Sequence, residues 1–214
     1  MKKLIAVLVI AASMSLYSAE KYAVLIAGDY NATGITNTTH LWNQGVGDRS
    51  EFWNDLYLQW EMLTQEKGYK PENVIVLFAN GIDHSITNPE INIRYSPTRY
   101  EGFDHITNNA ATEANVQAVC ADLGSKMVNG DDFLYVWVMS HSSSSSIFLL
   151  DDELTENVDV PFTRFDDYFK GLTALNKVYQ LSMNYAENLK IQLQETNASF
   201  LNTKESLGIK ANNK

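Results

Sequence analysis

Short runs of uninterrupted apolar residues punctuate the chain, each followed by a polar turn and then by a segment of helical period. Residues 22–27 (YAVLIA), 74–78 (VIVLF) and 133–139 (FLYVWVM) are continuous rather than alternating. That is the pattern of strands covered on both faces, as in a parallel sheet. Between the first two runs, Trp53, Leu56, Tyr57, Trp60 and Leu63 recur at three- and four-residue spacing. They form a one-sided helical stripe that Ser50 can cap and that Gly68 and Pro71 end. Between the second and third runs, Val116, Val119, Cys120, Leu123 and Met127 form another stripe, with Thr112 as its cap. Beyond the third run the pattern predicts a short strand over 147–150, a helix near 163–172 and a strand over 178–183. Residues 82–111 read as a long polar loop, a length that usually goes with function or mobility.

Strand, helix, strand, helix, strand is the order of an α/β domain built on a parallel sheet with right-handed crossovers. In such sheets ligands bind beyond the carboxyl ends of the strands. Asp29, Asn31, Asn80, Asp83, His141 and the serines after it all fall at that edge. The expected organisation is a signal segment over 1–19, one α/β domain over 20–183, and a helical or polar tail over 184–214.

Charge and targeting narrow the classes. A formal charge of −10 argues against a nucleic-acid partner, whose phosphates call for a basic surface. Lys2 and Lys3, the apolar run from Leu4 to Ala12 and the small residues Ser18 and Ala19 have the order of a secretory signal. The run is too short to span a bilayer. Cleavage is expected after Ala19, although Tyr17 is large for the −3 position, and the mature chain is expected to be secreted or periplasmic and free of membrane. The one cysteine, Cys120, rules out an internal disulfide framework and a Cys-rich structural zinc site.

Several segments carry candidate chemistry. His141 ends the third apolar run, where an imidazole can act as a general base near neutral pH, or can serve as a structural loop residue. Ser142–Ser146 read as a flexible loop, because a Ser-His pair also needs an orienting acid and an oxyanion hole. Cys120 sits on an apolar helical stripe, where thiols are inert. Asp151-Asp152-Glu153 lacks the ligand spacing of a calcium loop. The turn GDYNATG is not a phosphate-binding fingerprint. No cofactor and no metal are expected.

Three longer segments, taken in order, resemble the legumain (asparaginyl endopeptidase) family of caspase-like cysteine peptidases. KYAVLIAGDYN is similar to that family's first strand and turn. FWNDLYLQWEMLTQEKGYKPENVIVLFANG is similar to its first helix and second strand. ATEANVQAVCADLGSKMVNGDDFLYVWVMSH is similar to its second helix and the third strand that ends in the catalytic histidine. The resemblance covers roughly residues 21–150. It implies a caspase-like parallel-sheet sandwich with helices on both faces, a peptide or protein substrate, and His141 as proton shuttle with Asn31 orienting it. The sequence departs from the family at Ser142, where a Gly is usual, and at Ser140, where an Asp is common. It departs most at the fourth strand: QLSMNYA carries no Cys and no Ser-Gly. Ser182 is the one hydroxyl at the nucleophile position. The fold is expected to be shortened at its C-terminus. The implied function is that of a cysteine endopeptidase homologue impaired for want of its thiol, or of a non-catalytic peptide-binding or regulatory module on the same fold.

Overall fold

The computed structural model describes residues 19–28, 50–87, 93–127, 131–172, 176–193 and 198–202. The signal segment up to residue 18, Asp29, Asn31 and the loop around them lie outside the described residues. In chain order the elements are β1 (Lys21–Ala27), α1 (Ser50–Glu61), β2 (Val74–Phe78), α2 (His84–Thr87), α3 (Glu113–Lys126) and β3 (Phe133–Met139). They are followed by β4 (Ser146–Leu150), β5 (Asn157–Pro161), α4 (Phe162–Lys170), β6 (Asn176–Ser182), α5 (Ala186–Leu193) and β7 (Ala198–Asn202).

Five strands form one sheet in the order β2-β1-β3-β6-β7, and every pair in it is parallel. The domain is therefore α/β, as the uninterrupted apolar runs predict. Successive side chains of a strand point to opposite faces, so each run feeds two cores. On one face, Val24, Ile26, Leu134, Val136, Val138, Tyr179 and Leu181 pack with α3, α4 and α5. On the other, Ala23, Leu25, Val76, Tyr135 and Trp137 pack under α1, through Phe52, Trp53, Leu56, Tyr57 and Trp60. Helices cover both faces, but unequally. The β6 residues directed to the α1 face, Val178, Gln180 and Ser182, are only half-buried, while Lys177, Tyr179 and Leu181 on the opposite face are buried.

α1 ends as the sequence predicts, with a difference in its last turn. Met62–Glu66 widen into a π turn, closed by Lys67 N–H donating to Met62 O at 3.0 Å. Gly68 follows at φ +69°, a left-handed conformation that costs glycine little. Thr112 caps α3 by accepting from Asn115 N–H at 3.2 Å, and Val116, Val119, Cys120 and Leu123 are the buried stripe.

Three expectations need correction. Within the stretch read as a long loop over 82–111, the last part instead runs along the outer edge of β2. Asn108 N–H donates to Val76 O at 2.9 Å and Phe78 N–H donates to Asn109 O at 3.2 Å, while Asn108 Oδ1 accepts from Val76 N–H at 2.7 Å. A sheet edge left bare exposes unpaired backbone groups, and this clasp satisfies them. Secondly, Asn157–Pro161 form a strand, β5, paired antiparallel with β4. Thirdly, the sheet does not stop at the fourth strand, and the helix expected beyond residue 183 is part of the core. Leu189 and Leu193 of α5 are fully buried, and β7 adds a fifth strand parallel to β6.

Candidate functional site at the carboxyl edge of the sheet

The chain leaves β1 toward β2 on one side and later returns to β3 on the other. The strand order therefore reverses between β1 and β3, the place where ligands bind in open parallel sheets. Gly28 and Ser140-His141 stand at that point. Gly28 N–H donates to Met139 O at 3.2 Å. A Cβ at Gly28 would lie 2.5 Å from Leu149 Cδ2 and 3.3 Å from the Ala111 Cβ, so any other residue here would have to displace the Leu149 side chain of the β4 hairpin. The Ser140 hydroxyl is buried against the carbonyl oxygens of Gly28 and Phe148. Where the legumain-like pattern would have a carboxylate, this hydroxyl fastens β1, β3 and β4 together.

His141 follows on the opposite side of the backbone. Its imidazole is half-buried and packs against the Phe52 ring of α1, with centroids 5.8 Å apart at 49°. Its carbonyl accepts from Phe148 N–H at 3.1 Å. Phe52 extends the stripe of Trp53 and Leu56 by one position toward the helix N-terminus. The same periodicity would have found it, although nothing in the sequence ties it to His141.

The serines after His141 form a hydrogen-bonded turn rather than the flexible loop their composition suggests. Ser143 N–H donates to Ser146 O at 2.9 Å, and Ser143 Oγ accepts from the N–H groups of Ser145 and Ser146. Ser146 Oγ donates to Asp159 Oδ1 of β5 at 3.0 Å. Small hydroxyl side chains can close a turn on their own backbone, which is why the run is ordered. Ser142 is buried and its hydroxyl donates to Asn184 O, just past β6. Asn188 Nδ2 donates to Ser144 O at 2.7 Å. These two bonds tie the histidine's loop to the end of the neighbouring strand.

Ser182 is the last residue of that strand. It lies opposite Met139 in the β3–β6 register, two positions before the histidine. By strand alternation Met139 and Ser182 share the α1 face, and the contact with Phe52 puts the His141 ring on that face too. The structure thus brings His141 and Ser182 to one edge and one face of the sheet. Further back on it, Tyr135 Oη lies 2.6 Å from Gln180 Oε1 and 2.8 Å from Gln59 Oε1.

Cys120 is elsewhere. It is buried in the core on the opposite face, and burial pushes its thiol up to about 12. No thiolate is available there near neutral pH.

No protein-family model matches the chain, and no curated protein matches it. Among solved structures, the backbone is similar to that of Raptor from Chaetomium thermophilum, with a TM-score of 0.45 and 11% identity. The match spans 87% of this chain and 16% of that one.

Two other candidates resolve as structural. The Asp83 carboxylate, nearly fully buried, accepts from Ile106 N–H at 3.0 Å and Thr107 N–H at 2.9 Å. It anchors the β2 clasp and is occupied in doing so. Asp151 closes its own turn, accepting from Thr155 N–H at 2.6 Å, Thr155 Oγ1 at 2.9 Å and Glu156 N–H at 3.1 Å. Burial alone would push its carboxyl up, but those donors together hold it below the usual range. Among the described residues no group of three or more His, Cys, Asp or Glu side chains could hold a metal ion. None of the described helices is long and apolar enough to cross a membrane.

Proposed function

We propose that the chain is a secreted, caspase-like homologue of the legumain-type cysteine endopeptidases that keeps the histidine of the catalytic dyad without its thiol. One observation carries this reading. His141 and Ser182 close adjacent parallel strands on one face of the sheet, whereas the sole cysteine is buried on the other face with its thiol pushed up to about 12. A histidine base at such an edge would deprotonate a thiol on the next strand, and the thiolate would attack a peptide carbonyl. Here the corresponding side chain is a hydroxyl. An alcohol becomes a nucleophile only with a well-placed base and an oriented imidazole, so the reading entails little or no peptide hydrolysis.

The test is turnover of a broad peptide panel by the purified mature protein. The expected result is none above background. Cleavage that disappears in His141→Ala and on thiol alkylation would overturn the proposal.

A second reading, a peptide-binding module without turnover, is favoured by the half-buried β6 face. Val178, Gln180 and Ser182 leave apolar and amide surface accessible beside His141. Saturable peptide binding that is weakened by His141→Ala, with no product formed, would select it.

A further inference from the structure

Residue 20 is held more tightly than a residue ahead of the first strand needs to be. Glu20 N–H donates to Asp132 Oδ1 at 2.9 Å, and Asp132 is only 1% exposed. Glu20 O accepts from Phe133 N–H at 2.9 Å. The Glu20 carboxylate accepts from Lys70 Nζ at 2.6 Å and from Asn73 Nδ2 at 3.3 Å. Backbone nitrogen, backbone oxygen and side chain are each fixed by a different partner. The pattern of a secretory signal, read from residues 1–19 alone, places its cleavage immediately before this nitrogen.

We propose that the chain is processed between Ala19 and Glu20, and that the new α-ammonium of Glu20 forms a half-buried ion pair with the Asp132 carboxylate. Water adds across the Ala19–Glu20 amide under the host's leader-removing protease and the C–N bond breaks. Ala19 leaves as a carboxylate, and Glu20 N takes up the protons to become an ammonium. An α-amino group ionises at about pH 8 in an unstructured chain, so the new terminus is mostly charged at neutral pH. A donor that was a neutral amide becomes a cation facing a carboxylate already in hydrogen-bond range, and charge-assisted bonds are roughly twice as strong as neutral ones. Lys70 is bonded to the Glu20 carboxylate, Lys126 and Lys70 act on the nearby Tyr22 hydroxyl from one sign, and Asp132 and Glu20 act on it from the other. The fold thereby reads where the mature chain starts: one residue more leaves an amide at this position, and one residue fewer removes the nitrogen.

The test begins with the full chain expressed in a secreting bacterial host, its N-terminus read by intact mass and terminal sequencing. The expected start is Glu20; any other start, or an unprocessed chain, overturns the proposal. The α-amine is then labelled with an amine-reactive ester, and the N-terminal peptide is followed by mass spectrometry in the folded protein and in urea. Labelling of the folded protein is expected to be at least tenfold slower than in urea, and Asp132→Asn is expected to recover most of the urea rate. Equal rates for the folded and unfolded native chain would refute the ion pair, and that comparison decides the matter even if Asp132→Asn fails to fold. The peptidase part of the proposed function is untouched by either outcome, whereas an unprocessed chain would also count against secretion.

Discussion

Individual side chains in this protein owe their chemistry to which face of the sheet they occupy. Cys120 shows it most simply: burial among Val116, Val119 and Leu123 turns a potential nucleophile into a core residue. A thiol-specific chromogenic reagent at pH 8 is therefore expected to leave the folded protein unreacted and to titrate one thiol per chain in denaturant; rapid reaction of the native protein would contradict the burial. Asp83 makes the opposite use of burial. Its carboxylate satisfies two buried backbone N–H groups, and each such donor left unpaired costs roughly 1–3 kcal/mol. Asp83→Ala is expected to lower the unfolding free energy in urea by about 3 kcal/mol, and Asp83→Asn, which keeps one acceptor, by less. For Asp151 the sign follows from its lowered folded value. Its contribution is present above the ordinary carboxylate range near pH 4 and is lost as pH falls through the folded value. The melting-temperature gap between the native chain and Asp151→Asn should be open at pH 7 and close toward pH 2; a gap that is independent of pH would refute the turn's role.

At the scale of elements, what the sequence reveals depends on how much of the reason for each element is local. β1, β2, β3 and α3 are legible because a both-sided strand must be apolar at every position, and a capped stripe needs only nearby residues. Thr112→Ala is expected to cost about 1 kcal/mol in thermal or urea unfolding, and no effect at all would mean that the cap is unused. β5 and β7 were not legible, for a shared reason. NVDVP includes an acid and a proline, and ASFLN has only two large apolar residues. Each becomes a strand through its neighbour's ladder rather than its own pattern. The β2 clasp is illegible for the same cause, since its bonds, all but one of them backbone to backbone, run across some thirty residues. In the candidate site, the histidine's address was readable from strand order. The Ser140 and Ser142 bonds to Gly28 and Asn184 were not, because hydroxyls in a serine run give no hint of distant carbonyl partners.

Over the whole molecule, a sheet of parallel strands gathers every strand's carboxyl end along one edge, and the reversal between β1 and β3 opens that edge at His141. α5 belongs to this body, since it buries Leu189 and Leu193 in the core. A chain ending at Met183 is expected to lose cooperative unfolding, and a truncated protein that melts like the parent would contradict that. The central claim is that His141 and Ser182 stand side by side at the carboxyl edge of the sheet, as the proposed function requires. Its most direct measurement is the alkylation rate of a thiol placed there by Ser182→Cys, read at pH 6–7 by mass spectrometry with and without His141→Ala. An imidazole beside the sulfur favours the thiolate. The account predicts alkylation several-fold faster than that of an unstructured thiol, slowed to the unstructured rate when His141 is removed. Equal rates in the two backgrounds would contradict it.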